Sequence, residues 1–186
     1  MPKSDGGLQD VIDLLAAMAR KKAEVPNALE LFLDMGERMV KVVSAAFSAK
    51  SDEVAILFLT ADASHLRFAA PRKFATLGTI PVTKRDSIAV NVFQKQQGEV
   101  MNNVPMVRHV AFFESVKLRD RVVPIQKMIT VPIMFDGQAV GVAQISRKGD
   151  SPMDAGPDFN PADVKKAQDM FEAVAPYFVE ARPDKF

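Results

Sequence analysis

The sequence MITVPIMFDGQAVGVAQIS, residues 128–146, carries the strongest structural signal in the chain. Two runs of alternating apolar residues flank the dipeptide Asp136-Gly137. Because an Asp-Gly pair tolerates the positive φ angles of a type I′ turn, this pattern predicts a β-hairpin with a two-residue loop. The register set by such a turn would pair Ile133 with Val140, Val131 with Val142, and Pro132 with Gly141.

Two amphipathic segments near the N-terminus predict helices. Residues 8–19 place apolar side chains at three- and four-residue spacing over about two heptads. A helix this short is marginal alone in water, so it must pack on another element. A second helix is expected from Asn27, which can cap it and form a capping box with Glu30, to about Lys50.

A third long helix is expected near the C-terminus, at residues 160–180. Asn160 can cap it, and Pro161 suits its first position because the missing N–H would have no helical partner there. Pro176 lies inside the same segment and predicts a kink or a weakened last turn.

The segment between the second helix and the hairpin contains shorter elements. Apolar runs predict strands at 53–60 and 65–68, and an extended piece near Ile80. A helix is expected from a cap at Asp86 to a stop at Gly98, and another at about 110–118. This order of helices, strands and hairpin predicts an α+β fold, with helices packed on an antiparallel sheet.

Composition excludes several classes of function. The 24 Lys and Arg residues balance 23 Asp and Glu residues, which gives no electrostatic footprint for nucleic acid or an anionic membrane. No apolar run reaches the ~20 residues of a membrane-spanning helix, and residues 1–10 lack a signal-peptide core. The absence of cysteine removes thiolate metal sites and cysteine nucleophiles, and we expect a cytoplasmic protein.

Three motifs in order resemble the GAF family: SIAVNVFQKQQGEVMNNV (87–104), MITVPIMFDGQAVGVAQISRK (128–148) and FNPADVKKAQDMFEAVAPYF (159–178). The resemblance implies a GAF-like, profilin-like antiparallel sheet, with the N- and C-terminal helices on one face and loops or short helices on the other. It divides the chain into a dimerisation helix with linker, residues 1–26, and a GAF-like domain, residues 27–182.

The same resemblance implies a non-catalytic sensor or regulatory domain in signal transduction. Such domains bind a small molecule between the sheet and the irregular middle segment, form homodimers through terminal helices, and act on signalling partners. The alternative is an interaction or dimerisation module with a collapsed pocket and no ligand. Free-methionine-sulfoxide reductases of this fold require cysteines, which this chain lacks, and the residue set of the cyclic-nucleotide-binding members is not legible here.

Ten residues are candidates for the ligand site by their placement in the sequence. The middle segment contributes Phe74, Ile80, Ser87, Asn91, Asn102, His109, Phe112 and Phe113, and the small-residue face of the hairpin contributes Thr130 and Ala143. Apolar walls with a few polar groups suit a small organic ligand. Plain core packing is the competing interpretation for each of them.

Other polar residues favour simpler interpretations. His65 and His109, the only histidines, lack the paired spacing of metal or haem ligands, so no cofactor is expected. Asp150, Asp154 and Asp158 lack the closer alternation and bidentate Glu of a calcium loop, which favours a solvated linker. The Lys84-Arg85 and Arg119/Arg121 charges could attract an anion, but solvated faces explain them as well.

Overall fold

The structure, a computed structural model, describes residues 5–106 and 123–186. Its centre is a six-stranded antiparallel sheet with the order β3-β2-β1-β6-β5-β4. The strands are β1 (Val54–Leu59), β2 (His65–Ala70), β3 (Thr79–Pro81), β4 (Glu99–Met101), β5 (Ile125–Phe135) and β6 (Gln138–Lys148). The predicted α+β class and hairpin are therefore confirmed.

Four helices accompany the sheet in the described part of the chain: α1 (Asp5–Arg20), α2 (Ala28–Phe47), α3 (Ile88–Lys95) and α4 (Pro161–Ala181). The long helices follow their sequence signals, and α4 continues through Pro176 to Ala181. The predicted helix at 110–118 lies outside the described residues.

The helix caps agree only in part with their predictions. Asn27 accepts hydrogen bonds from the N–H groups of Leu29 and Glu30, but the Glu30 side chain pairs with Arg72 instead of completing a box. Asn160 caps α4 as expected, and Asp163 completes a capping box.

The predicted ends of α3 were both wrong. Ser87, not Asp86, caps the helix, because its hydroxyl accepts from the Val90 N–H. The helix ends before Gly98, since Gln96 already adopts the left-handed conformation, with φ 55°.

One face of the sheet is covered by α2 and α4, and α1 packs on these two helices within the same hydrophobic core. The apolar stripe of α1 makes contacts within the same chain, and its residues Val11, Leu15 and Ala19 are buried in this core. Residues on both sides of the predicted boundary after residue 26 thus contribute to the same hydrophobic core. Within the described residues, no helix is both long and apolar enough to cross a membrane.

On the other face of the sheet, α3 packs over β5 and β6. A smaller apolar cluster fills this side; its members are Ala55, Leu57, Leu66, Phe68, Phe74, Ile80, Ala89, Val90, Val92 and Val142. Among the described residues the two faces thus differ in cover, with a layer of long helices on one and the short helix α3 on the other.

The hairpin contains a β-bulge that the sequence pattern did not predict. Asp136 and Gly137 have φ of 50° and 75°, as a type I′ turn requires, and the first two pairs after the turn follow the predicted register. The register then shifts by one residue, so Val140 is the extra residue of the bulge. Beyond it the observed pairs are Ile133 with Gly141, Pro132 with Val142, and Val131 with Ala143.

Candidate functional site

A buried polar pair lies on the α3-covered face of the sheet. Thr130 of β5 stands directly opposite Gln144 of β6, and the Gln144 Nε2 donates to the Thr130 Oγ1 at 3.1 Å. The two residues are 1% and 5% exposed. Because side chains alternate along a strand, Gln144 shares its face with Val142 of the smaller cluster.

The bulge corrects the prediction that Thr130 and Ala143 share a face. With one extra residue at Val140, the partner of Thr130 becomes Gln144, and Ala143 turns to the helix-covered face, where it belongs to the main core. Ala143 therefore lies away from Thr130. Sequence reasoning missed Gln144 because it assumed an uninterrupted ladder.

Four candidates from the middle segment lie on the same side of the sheet as Thr130. Phe74 and Ile80 are buried in the smaller apolar cluster, and the Phe74 ring contacts Phe68 edge-on with centroids 5.8 Å apart. Ser87 is the buried cap of α3, and Asn91, half-buried, follows it one turn later. The structure thus places Ser87 and Asn91 on the helix that covers β5 and β6.

Asn102 is held in a structural role by its main-chain partner. Its Nδ2 donates to the Phe159 carbonyl and its Oδ1 accepts from the Phe159 N–H, each at 2.9 Å. This two-point bond fixes the segment that leads into α4, so the amide is engaged away from the candidate site. The remaining candidates, His109, Phe112 and Phe113, lie outside the described residues, as do Arg119 and Arg121.

The charged residues near the loop at 150–158 are connected to the sheet. Lys127, only 7% exposed in its side chain, pairs with Asp158 at 2.7 Å and donates to the Gly156 carbonyl at 2.6 Å. The loop is therefore more than the solvated linker that its composition indicated. Within the described ranges, no group of three or more His, Asp or Glu residues could hold a metal ion.

A cleft of about 510 Å³ lies between the β1–β2 turn and the C-terminal segment. Its lining residues are Thr60, Ala61, Asp62, His65, Thr79, Asp184, Lys185 and Phe186. Ser64 Oγ donates to Asp62 Oδ2 at 2.7 Å, so at 2.6 Å it accepts from the Nδ1–H of His65. The serine proton thus points to the carboxylate, and this arrangement does not activate Ser64 as a nucleophile.

The Asp62 carboxylate should titrate far below an ordinary aspartate. Hydrogen bonds from the hydroxyls of Thr60 and Ser64 and the Ser64 N–H lower its pKa from 3.8 to about 2. Its contribution to stability is therefore present above pH 4 and is lost as the pH falls from 4 toward 2. We expect a carboxyl NMR titration midpoint near pH 2, and Thr60→Val should raise it toward 3.8. A wild-type midpoint near 3.8 would contradict this network.

Solved structures identify the fold as GAF-like. The GAF domain from an Acinetobacter phosphoenolpyruvate-protein phosphotransferase has a TM-score of 0.61 and 16% identity, over 91% of this chain and 92% of that one. The A. aeolicus nlh2 GAF domain in an inactive state gives 0.57 and 15%, over 97% and 100%. A free methionine-R-sulfoxide reductase from Neisseria meningitidis, in complex with its substrate, gives 0.59 and 16%, over 98% and 95%.

These similarities establish the fold, and the GAF-like architecture expected from the three motifs is confirmed. No family model matches the chain, and no curated protein matches its sequence. Because structures with this fold include both GAF domains and a reductase, function has to be argued from the residues of this chain.

Proposed function

We propose that the chain is a non-catalytic small-molecule sensor or regulatory domain of signal transduction, acting in the cytoplasm as a homodimer. The observation that carries this proposal is the difference between the two faces of the sheet. Within the described ranges, one face is packed by α2 and α4 with α1 upon them, whereas the other holds the Thr130–Gln144 pair on the side of the short helix α3. A mostly apolar surface with a few fixed polar groups is typical of small-molecule sites.

The absence of catalysis is supported by the groups available for chemistry. The chain contains no cysteine, and the hydroxyl of Ser64 donates toward a carboxylate instead of toward the imidazole of His65. Two buried polar residues on the α3-covered face, Thr130 and Gln144, form a neutral hydrogen-bonding pair with no nucleophile–base relationship.

The dimer is supported by one flank of α1. The buried stripe of α1 packs in the core of its own chain. Beside it, Leu14 is 39% exposed, and Met18, one turn later, is only half-buried. These two side chains extend the apolar surface of the terminal helices toward solvent. In the proposed dimer this flank of α1 contacts the same flank of a second copy, and ligand binding biases the packing of the terminal helices.

Native mass spectrometry of the full chain tests both parts of the proposal. We expect a dimer that carries a reproducible additional mass, which is released on denaturation. A bare dimer that is also not stabilised by nucleotides, amino acids or organic acids in thermal-shift screening would instead support a dimerisation module with a collapsed pocket.

Replacing Leu14 by Lys should weaken the dimer without unfolding the chain. The substitution places a charge in the proposed interface, and we expect the dimer Kd to rise at least about tenfold, equivalent to ~1.4 kcal/mol. Sedimentation velocity measures the change, and Gln9→Lys, which adds the same charge at an exposed position of α1 away from Leu14, is the matched control. An unchanged Kd for Leu14→Lys would exclude this flank as the interface.

A further inference from the structure

The buried polar side chains of the described residues fall into two groups. Five of the seven hydrogen-bond to the main chain and so hold the fold together; they are Glu53, Ser87, Gln126, Lys127 and Ser146. Thr130 and Gln144 differ, because the hydrogen bond between them joins two side chains. Their bond crosses β5 and β6, strands that already share a continuous main-chain ladder.

The fold gains little from the polarity of this pair. Burying a carboxamide and a hydroxyl costs free energy that their mutual hydrogen bond only offsets. Replacing both partners with apolar groups of similar shape is often neutral or stabilising. A polar pair at the centre of a sheet face therefore requires an explanation other than stability, and the face it occupies is the one assigned to the ligand.

The surroundings of the pair restrict the ligand's chemistry. The described residues that pack on this face form apolar clusters around Val142 on β6 and Met128 on β5. Among the described residues, the two ionisable side chains that are buried are engaged elsewhere: Glu53 accepts from the Lys148 N–H, and Lys127 pairs with Asp158. A charge placed against Thr130 and Gln144 would meet neutral dipoles, so the portion of a ligand that contacts them is uncharged.

On the basis of the proposed sensor function, we propose that Gln144 determines ligand specificity and recognises an uncharged, amide-type edge, as in a carboxamide, lactam or nucleobase. A carboxamide side chain offers an acceptor and two donors, and it can bond such an edge through one of each, as Gln does with adenine. Thr130 is the positioning residue, because its hydroxyl holds one N–H of Gln144 and fixes the plane of the amide.

The test combines a double variant with a matched control. We expect Thr130→Val/Gln144→Leu to change Tm by no more than about 3 °C, and to weaken binding of benzamide and uracil at least about tenfold in calorimetry. The control is Gln126→Leu, which removes an equally buried carboxamide. Because Gln126 donates to the Gly149 carbonyl, this variant should lower Tm and leave probe binding unchanged.

Distinct outcomes separate this inference from the sensor function. Benzoate binding wild-type protein as tightly as benzamide, or a co-purifying ligand retained by the double variant, would overturn the inference and leave the sensor function standing. A large loss of Tm in the double variant would also overturn it, by showing a structural pair. Wild-type protein that binds neither probe and carries no additional mass would overturn the sensor function itself.

Discussion

Replacing Gly141 by Val should destabilise the fold by about 3 kcal/mol or more and prevent accumulation of native protein at 37 °C. A Cβ atom at this position would overlap the main-chain oxygen of Leu57 and lie 3.2 Å from the Cα of Phe58. Both neighbours are main chain of β1, the strand paired with β6 at this point. They cannot rotate away, so β1 and β6 would have to separate at the centre of the sheet.

Urea denaturation followed by circular dichroism measures this effect, with Gly141→Ala as a milder step in the same direction. Gly7→Ala is the matched control, because a Cβ there meets nothing within 4 Å and alanine favours a helix over glycine. Equal midpoints for Gly141→Ala and wild type would show that β1 and β6 do not approach as closely as described.

Replacing Phe32 by Ala should cost roughly 3–5 kcal/mol, a large part of the ~5–15 kcal/mol by which native domains are stable. Phe32 is fully buried on α2, and its ring contacts three others edge-on: Phe58 on β1, Phe178 on α4 and Phe186. The centroid distances are 5.3, 5.6 and 4.8 Å, in the range of favourable aromatic pairs. Removing the ring therefore opens a cavity where two helices, the sheet and the C-terminal segment meet.

The control for Phe32 is Phe93→Ala, which removes the same atoms from a half-buried position on α3. We expect it to lower the urea midpoint clearly less than Phe32→Ala, with a similar m-value for both variants. If both substitutions cost the same, neither the full burial of Phe32 nor its ring contacts would contribute to stability as described.

Most of the fold that could be predicted from the sequence came from long segments with periodic apolar residues and from the residues that cap them. Asn27 and Asn160 cap the helices they were expected to cap, because an N-cap is a local interaction that the adjoining sequence determines. The Asp136-Gly137 turn is equally local. The ends of α3 were harder to predict from the sequence, because Ser87 and Asp86 are both suitable caps and the choice between them depends on how the helix packs on the sheet.

The candidate site was harder to predict because it depends on register. Thr130 could be assigned to its face from alternation near the turn, whereas Gln144 could not, since no residue type in the sequence marks the bulge. Asn102 illustrates a second limit: its partner, the main chain of Phe159, is 57 positions away in the sequence. Such long-range bonds have no local pattern.

The bulge at Val140 also has a consequence for how the chain tolerates insertion and deletion. Deleting this one residue would move each following side chain of β6 to the opposite face of the sheet. Ala143 would then stand opposite Thr130, and Gln144 would enter the apolar core beneath the long helices. The number of residues between the turn and this pair thus determines which side chain stands opposite Thr130. An alignment of this strand with a chain that lacks the bulge must place a gap at Val140 before the residues of the two sites are compared.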